Sequence, residues 1–259
     1  MAQRLIAAGS TTLGTVTSGD DVYVLGGSAV MVTAMDQSAL ASILSVDIGN
    51  EFNGSFGTST APFKAELTGT FWYNAGGGNA YWVSESAGAD PDESAKLIIP
   101  RTASGHMHFD GGTITSAEVS AGQFTIATGA IVTNLYCSAG VVRFYDSAST
   151  DPTIIQNSGI LYLDRGCTTL THFGNGQTWI QGVNANAITT CNVYSSGCHI
   201  VESGTITTLN CWGGIPSVAK LQRPLTISNT NINMSLAGAE SFLQNPLLTH
   251  SSTTKYMGR

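Results

Sequence analysis

Two short patterns contain side chains that could do chemistry, and the first is Gly105-His106-Met107-His108-Phe109-Asp110. Alternate side chains of a β-strand share one face, so His106, His108 and Asp110 would point the same way. Imidazole and carboxylate groups in that arrangement suit a divalent transition metal. The alternative is an ordinary polar strand face. We favour this alternative and assign no metal ligand, because no fourth ligand is evident.

The second pattern is a set of carboxylates in the second half of the chain, Asp146, Asp164 and Glu202, each of which follows a glycine turn. In stacked coils Asp146 and Asp164 would lie about 5 Å apart, which is near the carboxyl separation of a retaining glycosidase. Glu202 would lie two coils beyond Asp164. The alternative is a set of solvated turn carboxylates neutralised by Arg143 and Arg165. We favour this alternative and assign no catalytic residue.

Composition excludes several classes of function. The chain has 259 residues, a formal net charge of −7 and only 10% charged residues, so it lacks the basic surface that nucleic acid requires. It has no apolar run near the ~18 residues of a membrane helix and no secretory signal pattern. We therefore expect no membrane partner and folding in a cytosol-like compartment. Phosphate-binding loops, nucleophile elbows and zinc-protease motifs are absent from the sequence, and no cofactor is expected.

The elements that must position these side chains come from a repeat of about 18 residues. Its clearest copies are 187–193, with the sequence AITTCNV, and 204–211, with the sequence GTITTLNC. Each copy predicts two or three short strands with alternating apolar residues, separated by Gly, Ser or Asn turns. The predicted anchor positions of successive copies are Ile114, Ile131, Ile154, Leu170, Ile188 and Ile206.

A unit of this size buries its apolar face only when copies stack, each strand pairing with its copies above and below at about 4.8 Å. The sequence therefore predicts an all-β, right-handed parallel β-helix; the near-constant spacing argues against a β-sandwich. The five cysteines form no CxxC pair and are expected to act as small buried hydrophobes, not disulfides or metal ligands. Two inward columns are predicted, Ala117, Leu135, Phe173, Cys191 and Leu209 in one and Val119, Cys137, Val193 and Cys211 in the other.

The flanks of the repeat are less regular, which gives three expected regions. Residues 1–110 form an irregular β region with early coils, residues 111–214 form the regular coils, and residues 215–259 form a C-terminal cap or inter-subunit arm. Pro216 and Pro224 are expected to end the regular coils. The tail either covers the last coil or reaches a neighbouring subunit, because an open β-helix end exposes strand edges.

The Gly-Thr-Ile-Thr coils, the Ser/Thr/Asn/Gly-rich surface and the segment 48–57, IGNEFNGSFG, resemble parallel β-helix proteins of tailed-bacteriophage virions. That family includes head decoration (cement) proteins, head fibres and tailspikes. The resemblance is one of coil pattern and composition, and it covers residues 15–215. It implies a structural, non-enzymatic virion protein that binds the major capsid protein at the head surface as a homotrimer and stabilises the shell. In that case residues 1–110 would include the capsid-contact part.

The alternative within this resemblance is a tailspike or receptor-binding protein that binds or cleaves bacterial surface polysaccharide, with a host glycan as its ligand. A groove that cleaves polysaccharide is expected to carry several exposed aromatic side chains along one face. The repeat offers only Tyr162, Trp179, Tyr194 and Trp212 for this purpose, and some of these are expected to be buried. The compact length of the chain favours the head-surface protein.

Overall fold

The structure of the protein, a computed structural model, describes residues 2–40, 42–85, 95–145, 152–181, 187–202, 205–233, 242–251 and 255–256. The chain divides into two compact units, Met1–Asn134 and Leu135–Arg259. The strands of the first unit are β1 (Gln3–Ile6), β2 (Asp21–Val24), β3 (Val30–Met31), β4 (Ser45–Ile48), β5 (Ser55–Phe56), β6 (Phe63–Lys64), β7 (Thr70–Tyr73), β8 (Asn79–Val83), β9 (Lys96–Ile99), β10 (His106–Gly111), β11 (Thr113–Val119) and β12 (Gln123–Ile126).

Strand β13 (Ile131–Cys137) spans the boundary of the two units. The strands of the second unit are β14 (Val141–Phe144), β15 (Thr153–Gln156), β16 (Ile160–Leu163), β17 (Cys167–His172), β18 (Gln177–Gln181), β19 (Ile188–Val193), β20 (Cys198–Glu202), β21 (Thr205–Cys211), β22 (Leu225–Ile232), β23 (Leu248–His250) and β24 (Lys255–Tyr256). In the part of the chain that the structure describes, no helix is both long enough and apolar enough to cross a membrane.

The first unit consists of stacked coils that contribute strands to two parallel sheets. One sheet has the order β1-β2-β4-β7-β9-β11, and the other has the order β3-β5-β8-β10-β12. Strands that are neighbours in a sheet pair in register, so that Val22 lies beside Val46 and Val46 lies beside Phe71. Each return of the chain to the same sheet therefore adds one row, and residues 1–110 are built from coils of the same kind as the repeat.

The second unit repeats this architecture, with the orders β15-β17-β19-β21-β22-β23 and β14-β16-β18-β20. Ile188 lies in register with Ile206, and Ile206 lies in register with Ile227. Strand stacking thus continues beyond Gly214, and the segment with Pro216 and Pro224 is a longer connection between two rows. The fold is the all-β parallel β-helix that the repeat predicts.

Three columns of buried side chains form the interior of the second unit, because each strand places alternate residues inward in register with the strands above and below. Even the polar members of these columns are buried. The columns are Cys167, Ile188, Ile206 and Ile227; Ile154, Leu170, Cys191, Leu209 and Thr230; and Gln156, His172, Val193, Cys211 and Ile232.

The predicted columns are wrong in the row of β17. Leu170, predicted to match Ile188, instead lies beside Cys191, and Cys167 takes the anchor position. Phe173, predicted to point inward, is half-buried on the outside. The cause is the length of the coil. The rows of β17 and β19 are 21 residues apart, whereas the rows of β19 and β21 are 18 residues apart, so a constant period misplaces β17 by the difference.

Two other anchors also differ from the prediction. Ile131 lies at the outer side of β13, and the next residue, Val132, is buried in its place. Ile154 is buried, but it lies in the column of Leu170 rather than in the column of Ile206. All five cysteines are buried, as predicted, and none forms a disulfide.

Replacing Ile206 with Ala tests the stacking of the interior. The side chain is fully buried between Ile188 and Ile227, so we expect its truncation to leave a cavity and to lower the free energy of unfolding by about 2–5 kcal/mol. Urea-induced unfolding measures the loss. The matched control is Thr207→Ala at the exposed neighbouring position, which should change stability by less than about 0.5 kcal/mol. Equal losses of unfolding free energy in the two variants would contradict the burial of Ile206 between Ile188 and Ile227.

Candidate ligand-binding surface

The His106-x-His108-x-Asp110 pattern lies on β10, where His106 and His108 are half-buried on the outer side of the strand. The Nε2 atom of His106 lies 2.8 Å from the hydroxyl oxygen of Thr125 in the next row. The ring of His108 stacks on the ring of Tyr81 in the preceding row, with a centroid distance of 4.3 Å and an interplanar angle of 6°. Both imidazoles therefore contact side chains of the adjacent rows. Within the described residues, no group of three or more His, Cys, Asp and Glu side chains could hold a metal ion.

Burial controls the charge of two histidines. Desolvation, together with the nearby His106, lowers the pKa of His108 to about 4. Desolvation also lowers the pKa of His172, which lies in the third interior column. Its Nε2 atom is 3.1 Å from the carbonyl oxygen of Ser196, and its Nδ1 atom is 3.0 Å from the hydroxyl of Thr178. Because a carbonyl can only accept, Nε2–H donates to Ser196. The lowered pKa favours the neutral ring, whose Nδ1 atom accepts from the Thr178 hydroxyl.

These lowered histidine pKa values predict a loss of stability in acid. The unfolded chain binds protons near the ordinary histidine pKa of 6.5, whereas folded His108 binds one only near pH 4. The contribution of His108 is therefore complete above about pH 6.5 and is lost progressively as the pH falls to about 4. Urea unfolding of the wild type and of His108→Gln, measured at matched pH values, tests this expectation.

His108→Gln should lose less stability than the wild type between pH 7.5 and pH 4.5. Burial raises the pKa of Asp110, so protonation of this neighbour acts in the opposite direction. For that reason the informative quantity is the difference between the two proteins at each pH. Parallel stability curves for the two proteins would exclude His108 as a source of the acid sensitivity.

The predicted pair of Asp146 and Asp164 stays a prediction, because Asp146 lies outside the described residues. The register of β14 with β16 pairs Phe144 with Leu163, and the amide of Asp164 donates to the carbonyl of Phe144 at 2.9 Å. On the other side, the register of β16 with β18 and of β18 with β20 places Gln181 between Asp164 and Glu202. Glu202 therefore lies two rows beyond Asp164, as predicted.

The four aromatic side chains that the sequence offers for ligand contact all lie on the outside, so the expectation that some are buried is wrong. Tyr162 and Trp179 are neighbours in register on β16 and β18. The guanidinium carbon of Arg143 lies 4.6 Å from the ring centroid of Tyr162. The ring of Trp179 stacks on His199 at 4.2 Å, and the ammonium of Lys220 lies 4.5 Å from the Trp179 centroid. These two rings are thus engaged with cations and an imidazole of their own chain.

The other two, Tyr194 and Trp212, form a second outer group together with Phe173. We call these three residues the corner column. Each residue directly follows the last residue of its strand, and the amides of Tyr194 and Trp212 donate to the carbonyls of the preceding row at 2.9 Å and 2.8 Å. Tyr194 is 48% exposed and Trp212 is 40% exposed. Their rings are nearly parallel, at 17°, with centroids 6.1 Å apart. That distance exceeds the strand spacing of about 4.8 Å, so the rings are offset and part of each face is open.

A ladder of polar side chains runs beside the corner column, two residues earlier in each row. We call Thr171, Asn192, Asn210 and Asn231 the amide ladder. The Nδ2 atom of Asn192 donates to the Thr171 hydroxyl at 3.3 Å. The Nδ2 atom of Asn210 donates to Oδ1 of Asn192 at 2.8 Å, and that of Asn231 donates to Oδ1 of Asn210 at 2.8 Å. The ladder fixes the orientation of each amide along the stack.

A third column, which consists of threonine side chains, lies two residues before the amide ladder in each strand. Thr169, Thr190 and Thr208 are neighbours in register. The corner column, the amide ladder and this threonine column form one outer surface, and none of the side chains that define it is charged. The sequence contains the signal for this surface, since the pattern Thr-x-Asn-x-aromatic occurs at both 190–194 and 208–212. This signal is missed when Phe173 is assigned to the interior, because the row of β17 then has no aromatic side chain on this surface.

Comparison of the chain with protein-family models, with curated proteins and with solved structures found no match. The class of the protein is therefore defined by its fold, a parallel β-helix. A β-helix supports both binding and catalytic functions, so function must be argued from the surfaces of this chain.

Proposed function

We propose that the chain is a structural protein of a bacteriophage virion, a decoration protein that binds the major capsid protein on the head surface as a homotrimer. The observation that supports this proposal is a set of exposed aliphatic side chains, Leu5, Leu25, Val30 and Val32, which lie on or directly after the first three strands of the first unit. We assign these side chains to an attachment surface, because they are not buried in the interior of the coil.

The attachment surface includes strands that have one unpaired side. Within the described residues, β1 is the edge strand of one sheet of the first unit and β3 is the edge strand of the other. Leu5 on β1 is 59% exposed, and Val30 on β3 is 49% exposed. Leu25 and Val32 are also exposed, and their amides donate to the carbonyls of Ile6 and Thr11 in the first coil. Exposed aliphatic side chains suit an interaction site, and unpaired strand edges require a cover.

The proposed mechanism is mechanical. A protein that binds only the assembled shell stabilises that shell by mass action, and the stabilisation increases with the occupancy of the sites. A closed homotrimer would present three equivalent attachment surfaces at a symmetric position of the shell. Binding would remove the aliphatic surface of Leu5, Leu25, Val30 and Val32 from water. Each Å² buried would contribute about 25 cal/mol to the free energy of binding.

The rival proposal is a polysaccharide-cleaving tailspike. Cleavage by the usual route needs two carboxyl groups at a defined separation. The pair that the sequence offers for this purpose is Asp146 and Asp164, and Asp146 lies outside the described residues.

Co-sedimentation with expanded capsids of the phage that encodes the protein tests the proposal. The wild type should bind saturably and raise the temperature at which the capsids disrupt. Leu25→Asp should weaken binding at least tenfold, because a charge replaces an exposed aliphatic side chain in the contact. Its thermal unfolding should be unchanged, since Leu25 is 54% exposed.

Thr189→Asp is the matched control, because it introduces the same charge at an exposed position of the second unit and should bind capsids normally. Light scattering of the purified protein should give three times the mass of one chain. Absence of wild-type co-sedimentation, or equal binding by Leu25→Asp and the wild type, would refute the attachment surface. Release of reducing sugar from envelope polysaccharide, abolished by Asp164→Asn, would instead establish the rival.

A further inference from the structure

We propose that the corner column and the amide ladder form a binding site for an uncharged polysaccharide. The site is composed of Tyr194, Trp212, Asn192 and Asn210, with Phe173 and Asn231 extending it by one row at each end. It shares no residue with the proposed capsid contact and does not depend on that proposal.

The aromatic part of the site suits the C–H face of a pyranose ring. Tyrosine and tryptophan present a large, rigid apolar face together with a polar atom at the edge of the ring. Tyr194 and Trp212 keep nearly half and two fifths of their surface exposed, and their rings are parallel and offset. By contrast, cations and an imidazole of the same chain lie against Tyr162 and Trp179. The corner column is therefore the better platform for a ligand.

The amide part of the site suits sugar hydroxyl groups. A side-chain amide has two N–H donors and an oxygen with two lone pairs. Asn210 uses one donor toward Asn192 and one lone pair toward Asn231, which leaves one donor and one lone pair. A sugar hydroxyl both donates and accepts, so it can satisfy both. Because the ladder already holds the amides in place, a ligand meets ordered groups and little side-chain entropy is lost on binding.

The spacing and the charge of the surface select the class of ligand. Equivalent groups recur at about 4.8 Å along the stack, which is close to the length that one pyranose residue adds to an extended chain. Successive sugars can therefore meet successive rows. The three columns consist of hydroxyl, amide and aromatic groups, so they contain no cation that would attract uronic acid, sulfate or phosphate groups. An uncharged polymer matches this surface better than an anionic one.

Affinity electrophoresis of the whole protein tests the proposal. The gels contain a neutral β-glucan, mannan, galactan or N-acetylglucosamine polymer, with alginate and polygalacturonate as anionic probes. The wild type should be retarded by at least one neutral polymer and should run unchanged in the anionic gels. Trp212→Ala and Tyr194→Ala should weaken the retardation at least tenfold. Asn210→Thr, which keeps a hydrogen-bonding group in the ladder, should weaken it less than Trp212→Ala.

The matched control is Tyr136→Ala, which removes a ring that is equally exposed but lies outside the corner column; it should bind like the wild type. Thermal unfolding of each variant shows whether it has folded. Retardation by none of the neutral polymers, or equal retardation of Trp212→Ala and the wild type, would overturn the proposal. Self-association that Trp212→Ala abolishes would assign the surface to a second copy of the chain. Capsid binding by Trp212→Ala should be normal, so failure of one proposal is distinguishable from failure of the other.

Discussion

Stacking in register is the constraint on which the rest of the structure depends. Each residue has an equivalent residue about 4.8 Å above it and another below it, so a side chain must tolerate its neighbours in the column. Inside, this favours columns of similar apolar groups such as Ile188, Ile206 and Ile227. Outside, it disfavours repeated charges, which would repel at that distance. Hydroxyl and amide side chains bond to each other instead, as Asn192 and Asn210 do, and only 10% of the residues are charged.

The fold could be predicted because alternation and repetition are both visible in the sequence. The pairing of Ile188 with Ile206 follows directly from two copies of equal length. The register of β17 could not be predicted from a constant period, because a coil can lengthen at its turns while its strands stay in register. This one error placed Phe173 inside, and the corner column then looked like two isolated aromatic side chains. The position of a binding surface on a β-helix therefore depends on the register of each row.

The polar side chains of the interior could not be predicted by alternation alone. Gln156 and His172 occupy the column that continues with Val193. Their inward positions follow from alternation, but the burial of their polar N–H groups is tolerated because these groups donate hydrogen bonds elsewhere in the coil. The Nε2–H of His172 donates to the carbonyl of Ser196, which is 24 residues away. Gln156 donates to the carbonyls of Ser158 and Gly159 at the adjacent turn. Such partners depend on turn geometry, which residue types specify only in part.

A β-helix has two kinds of surface, and they suit different tasks. An end has a fixed size however many coils follow, so an end suits one defined contact, such as the edge strands that carry Leu5 and Val30. A flank grows with each added row, so weak contacts of the kind offered by Tyr194 and Trp212 can be repeated along a polymer. Each further contact within the same chain of ligand is intramolecular and raises the overall affinity without any single strong interaction. The proposed attachment through Leu5 and Val30 and the proposed recognition through Tyr194 and Trp212 use different residues, so the two can coexist in one chain.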